Sequence, residues 1–103
     1  WELVRSSEAP PWASGTRVVA SRTLAADDAP GARVVADAVA AVAALRAEPG
    51  DGEIWLFGGG ELFAALLAAG QVDAVEVTIA PTLLGGGVPL LASGAGGARL
   101  RHL

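Results

Sequence analysis

Cysteine is absent from this 103-residue chain, which excludes disulfide frameworks and thiolate metal sites. Lysine is absent as well, since all seven basic residues are arginine. Together with the abundance of Ala, Gly and Val, this points to a GC-rich coding sequence rather than to any function. Eleven acidic residues leave a net charge of −4. That balance argues against a general binder of nucleic acid or of anionic membrane, while leaving room for one local anion site. No apolar run approaches the ~18 residues of a membrane span, and no charged segment leads into a short apolar one as in a secretory signal. The expected setting is therefore the cytoplasm. No histidine or carboxylate pair has metal-ligand spacing, so no metal is expected, and no 20–50-residue repeat is present.

What the chain does have is 52% hydrophobic and 17% charged residues, the balance of a globular rather than a disordered sequence. Its length fits one domain over 1–103, at the low end for an α/β sheet. The organising stretch is Glu53 to Gly70, EIWLFGGGELFAALLAAG. Ile54, Trp55, Leu56 and Phe57 form a nearly unbroken apolar run, as in a parallel strand buried on both faces. Gly58, Gly59 and Gly60 then remove every Cβ from the turn, so that a ligand could approach the backbone closely. Leu62, Phe63, Leu66 and Leu67 follow at helical spacing, and Gly70 is placed to end the helix as its C′ residue.

A strand, glycine turn and helix in this order leave the first helical N–H groups unpaired, with the positive end of the helix dipole behind them. A phosphate is the ligand such a turn favours. However, GGGEL is neither GxGxxG nor a P-loop, and no lysine follows. A tight strand-to-helix turn holding no ligand explains the same residues.

The first fifteen residues, with Pro10-Pro11, read as a loop. The chain begins at Trp1 rather than Met, and an earlier segment is expected to be missing. Thr16 to Ala20, TRVVA, is the first strand, followed by the polar cluster Ser21-Arg22-Thr23 at its carboxyl end, where open parallel sheets bind ligands. Leu24 to Gly31 is a loop with Pro30-Gly31 as its turn, and Arg33 to Ala36 is a second strand. Asp37 caps a helix from about Ala38 to Glu48 whose apolar face carries Val39, Val42 and Leu45. Pro49 to Gly52 breaks it. Beyond Gly70, Val72 to Ala80 alternates, with Val75, Val77 and Ile79 on one side and Glu76 and Thr78 on the other, as in a half-buried strand ended by Pro81. A second glycine cluster, Gly85 to Gly87, follows, and RLRHL reads as the beginning of a further strand. Alternating strands and helices from Arg33 onward argue for a mainly parallel α/β sheet with right-handed crossovers.

The order SRTL, DAVAAVAALRA, EIWLFGGGELFAALLAAG, VDAVEVTIAPTLLGGGVPLL resembles the C-terminal part of the dihydrofolate-reductase-like domains. Within these it is most similar to the bacterial reductase domain of riboflavin biosynthesis and its uncharacterised relatives. The resemblance spans roughly Pro11 to Leu91. It implies a three-layer α/β/α fold with a mostly parallel central sheet and an antiparallel C-terminal strand. The same resemblance implies a domain incomplete at both ends, without the family's opening strand and SLDG-like turn before Trp1 and with an unfinished last strand pair after Leu103.

The resemblance also implies NADPH bound across the carboxyl ends of the strands. The glycine turn would lie against the pyrophosphate, with one Gly-Gly peptide there often cis. Carried onto this sequence, the pyrophosphate-facing residues are Gly58, Gly59, Gly60, Glu61 and Leu62, through backbone N–H groups, with the Glu61 carboxylate turned away from the phosphates. Ser21, Arg22 and Thr23 match the place where the family meets the adenosine 2′-phosphate. Arg22 is the leading candidate, because a guanidinium grips a phosphate bidentately and so prefers NADPH over NADH; as a solvated surface arginine it would do neither. A homodimer is implied too, with Ile79 to Leu91 as part of the interface or, equally, as an internal strand and loop.

No catalytic proton donor is identifiable. His102 is the only histidine and reads as a surface residue. Asp73 begins a strand and anchors its turn, and Asp27 and Asp28 solvate a loop. Trp12, Trp55 and Phe57 could line a pocket, although Trp55 and Phe57 read more simply as core. Two functions follow. One is an NADPH-dependent reductase transferring a hydride to a small heterocyclic, pteridine- or pyrimidine-like, substrate. The other is a non-enzymatic dimeric nucleotide-binding or interaction module on the same fold.

Overall fold

The structure is a computed structural model that describes residues 15–50 and 52–103. The expected loop around Pro10-Pro11, Trp12, and Asp51 in the break after the first helix lie outside the described residues. The chain divides into two compact units, Trp1–Ala36 and Asp37–Leu103, which are taken separately.

In the first unit, strand β1 (Val18–Ala20) pairs in parallel with β2 (Arg33–Val35). The register sets Val18 against Arg33, Val19 against Val34 and Ala20 against Val35. β-branched valines stiffen both strands, as their sequence required. The ladder continues one residue past each end of β1: Arg33 N–H donates to the Arg17 carbonyl and Ser21 N–H to the Val35 carbonyl, both at 2.9 Å. Parallel strands need a crossover, and here it includes a 3-10 turn at Ala26–Asp28 inside what read as plain loop. Ala29, just after it, is the most buried described residue of this unit, at 1% exposure. The turn at Pro30-Gly31 forms as expected, with Gly31 at φ +76°, a conformation that favours glycine.

In the second unit, helix α1 (Ala38–Ala47) starts where Asp37 accepts the Ala40 N–H at 3.0 Å. Such a bond satisfies one of the helix's orphan donors. Helix α2 (Gly60–Ala68) packs on α1. Its face of Leu62, Phe63, Leu66 and Leu67 turns inward, with Leu66 buried at 4% exposure. Gly70 ends it at φ +69°. Gly70 N–H donates to the Leu67 carbonyl at 3.1 Å and Gln71 N–H to the Leu66 carbonyl at 2.9 Å, the two bonds of a Schellman motif. The Asp37 cap and the Gly70 C′ stop therefore form as expected.

The strand expectations downstream of β2 do not. Ile54–Phe57, Val72–Ala80 and the C-terminal RLRHL carry no strand, and among the described residues the one sheet is the β1–β2 pair. Nor is the apolar run before the glycines buried on both faces: Trp55 is 62% and Phe57 65% exposed. The physical reason is that a strand is defined by a ladder partner, which local apolar patterning cannot supply. The alternation after Gly70 still has an effect, because Val75 and Val77 face Phe63 and Leu67 of α2 and Leu90 and Leu91 around an apolar cavity of about 170 Å³. With no strand there for Pro81 to end, it sits in a tight turn closed by Thr82 N–H donating to the Ala80 carbonyl at 2.8 Å.

Candidate functional site

The glycine turn is built from three residues that do different work. Gly58 lies at φ +96° and is joined to Gly59 by a cis peptide bond, matching the cis Gly-Gly peptide that the resemblance implied. Gly59 is the N-cap of α2, in extended conformation with no side-chain cap. At both positions an added Cβ would meet none of the described residues within 4 Å, so among them the backbone faces open space. Gly60 is different: a Cβ there would lie 3.4 Å from the Leu90 carbonyl oxygen and 3.6 Å from Pro89 O and Ala92 N. Its missing side chain thus allows the start of α2 to pack on the 89–92 backbone, a function the sequence did not distinguish from ligand access.

The first helical bond of α2 runs from Phe63 N–H to the Gly59 carbonyl at 2.9 Å. Among the described residues no partner is taken by the N–H groups of Gly60, Glu61 and Leu62. These are the orphan donors of a helix N-terminus, where partial positive charge collects. Glu61 is exposed in the first turn. Open space over Gly58 and Gly59 beside such donors fits a phosphate-bearing ligand by donor chemistry.

In the other unit, Ser21, Arg22 and Thr23 form a bend at the carboxyl end of β1. The Ser21 hydroxyl oxygen accepts from Leu24 N–H at 3.0 Å and from Thr23 N–H at 3.3 Å, a serine turn. Ser21 is half-buried, while Arg22 and Thr23 are exposed. Arg22 enters no ion pair among the described residues.

Around α2 the structure adds an ion pair that spacing could not reveal. Arg46, in the last turn of α1, binds the Asp73 carboxylate through both terminal nitrogens, with Nη2 donating to Oδ1 at 3.1 Å and Nη1 pairing with Oδ2. Nη1 also reaches the Gln71 carbonyl at 3.4 Å. These hydrogen bonds, and then the guanidinium charge, hold the Asp73 carboxyl below its ordinary value and raise Arg46. Asp73 does anchor the chain after α2, through α1 rather than through a strand. The indole N–H of Trp55 donates to Glu53 Oε2 at 3.0 Å, and its ring stacks on Phe57 with centroids 6.2 Å apart. His102 is exposed, as expected, and so are Asp27 and Asp28.

The described residues define an α/β chain with a glycine turn opening onto a helix N-terminus. Its family is more specific: the RibD C-terminal domain matches residues 2–102, and the chain belongs to that family, a reductase-like domain of riboflavin biosynthesis. No curated protein and no solved structure matches the chain. Among the described residues no helix is long and apolar enough to cross a membrane.

Proposed function

We propose that this chain is an NADPH-dependent reductase domain that reduces a small heterocyclic substrate of the pteridine or pyrimidine kind. The observation that carries the reading is the trio of unpartnered N–H groups at Gly60, Glu61 and Leu62 beside the open backbone of Gly58 and Gly59, in a chain of a reductase family. Three donors and a helix dipole hold a pyrophosphate without any cationic side chain. When bound, NADPH supplies the hydride. Arg22 grips the adenosine 2′-phosphate, with Thr23 and Ser21 beside it, and sets the preference over NADH.

The fold reading that goes with this function is one dihydrofolate-reductase-like domain in three layers, acting in the cytoplasm as a homodimer. Ile79, Leu83, Leu84 and Val88 support the dimer, each at least 81% exposed, since contiguous exposed apolar surface is costly unless covered. The same surface favours the second reading, a non-enzymatic dimeric module that binds a nucleotide or a protein partner.

Titration of the full chain with NADPH and with NADH, read by tryptophan fluorescence, separates the readings. Micromolar NADPH binding with much poorer NADH binding supports the reductase and calls for a screen of heterocyclic substrates. Failure of both nucleotides to bind sinks the cofactor assignment. Sedimentation velocity at two concentrations checks the dimer, and a monomer at both removes Ile79 to Leu91 as its interface.

A further inference from the structure

Residues 89–92 join two places that lie far apart in the sequence. Their backbone rests against the first residue of α2, where a Cβ on Gly60 would stand 3.4 Å from the Leu90 carbonyl oxygen and 3.6 Å from Pro89 O and Ala92 N. Their side chains reach the same helix, since Leu90 and Leu91 share the apolar cavity with Phe63 and Leu67. Phe63 in turn donates the first helical bond, to the Gly59 carbonyl. Residues 89–92 therefore help to place the start of α2, and with it the N–H groups of Gly60, Glu61 and Leu62.

The same segment continues an exposed apolar loop. Leu83, Leu84 and Val88 are each at least 81% exposed, and no charged residue stands between Glu76 and Arg99. Gly85 and Gly87 lie at φ +71° and +145°, and a Cβ added at either would meet none of the described residues within 4 Å. Chains of net charge −4 repel one another, and interface centres are depleted of charge. A second copy thus meets least repulsion on this uncharged loop.

We propose that a second copy covering the 83–88 loop strengthens nucleotide binding at the glycine turn, with residues 89–92 as the connection. This rests on the reductase reading and on the dimer above. The physical cause is ordering. A loop fixed by its partner fixes the segment joined to it, so a nucleotide that meets three donors already held gives up less freedom on binding. Linkage is reciprocal, and the nucleotide tightens the dimer by the same factor.

The test measures the dimerisation constant of the full chain by sedimentation velocity, with and without saturating NADPH. NADPH affinity is then read by tryptophan fluorescence at protein concentrations below and above that constant. Both should change about tenfold, within the range of coupled sites. NADH should show the same factor, because the coupling acts on backbone donors and not on the 2′-phosphate. Leu84→Glu, at an exposed position, should give a folded monomer that keeps the affinity of the dilute parent at every concentration. Two glycines inserted between Val88 and Pro89 should leave the dimer in place and reduce the linkage to less than about twofold, by separating the loop from the segment that touches α2.

An NADPH affinity that does not change across an observed dimerisation overturns the coupling and leaves the dimer and the reductase reading intact. Leu84→Glu that still dimerises overturns the loop as the surface, and a full-sized linkage in the insertion variant overturns residues 89–92 as its route. A chain that stays monomeric with and without NADPH overturns the coupling together with the dimer. A parent that binds neither nucleotide removes the reductase reading, and the coupling with it.

Discussion

The bend after β1 and the turn before α2 are the two proposed anion sites, and they are built on opposite plans. After β1 the proposed recognising group is a side chain, the Arg22 guanidinium, carried on a loop that the Ser21 hydroxyl closes. Before α2 the available groups are backbone N–H donors, and the side chains are absent by design of the turn: Gly58 and Gly59 face open space. A side-chain site carries a full charge and discriminates between ligands that differ by one phosphate. A backbone site carries partial charge, accepts any ligand with a pyrophosphate, and cannot be weakened by truncation because nothing remains to truncate. One kind is probed by taking atoms away and the other by adding them.

The largest effect should come from adding atoms to the backbone site. Gly58→Val forces a β-branched residue into φ +96°, a conformation costing of order 1–3 kcal/mol for a non-glycine residue, and fills the open approach. NADPH and NADH should both weaken, by roughly 30-fold and by the same factor. A change in their ratio would show that the two places are not independent. Arg22→Ala comes next and should do the converse. NADPH affinity should fall about 30-fold, as for a charge-assisted bidentate contact, with NADH within about twofold. Equal losses for the two nucleotides would remove Arg22 from 2′-phosphate recognition.

Asp37→Ala serves as a control that should move neither nucleotide. It removes the α1 cap and should lower stability to urea by about 1 kcal/mol with the affinity ratio unchanged. An altered ratio would mean that α1 stability feeds into recognition. The smallest effect belongs to the exposed Arg46–Asp73 pair. Arg46 holds the Asp73 carboxyl below its ordinary value of 3.8, so the pair's contribution is fully present above that value and is lost as pH falls through the depressed native one. The urea midpoint difference between the parent and Asp73→Asn should therefore be flat from about pH 8 to pH 5, shrink in stronger acid, and shrink with added salt. A difference that grows on acidification would contradict the assigned direction.

Elements whose bonds close within a few residues were legible. Asp37 caps α1 three residues ahead of its donor, and Gly70 closes α2 through Leu66 and Leu67. The family, too, was legible in the order of SRTL, GGGELFAALLAAG and IAPTLLGGG. What failed was reading an apolar run as a strand. Ile54 to Phe57 and Val72 to Ala80 have the residues of strands, but alternation and apolarity specify a face, not a partner. The serine turn was open to local reading, because Ser21 precedes its two donors by two and three residues.

By itself, then, the sequence determined the Asp37 cap of α1 and the Gly70 stop of α2, because each depends on torsional preference and bonds between near neighbours, and the order of its motifs determined the family. Tertiary structure decided the rest. It separated Gly60, packed against the 89–92 backbone, from Gly58 and Gly59, which face open space. It also joined Arg46 to Asp73 across 27 residues. Contacts of that separation depend on where packing brings the chain together, a quantity that no local pattern of residues contains.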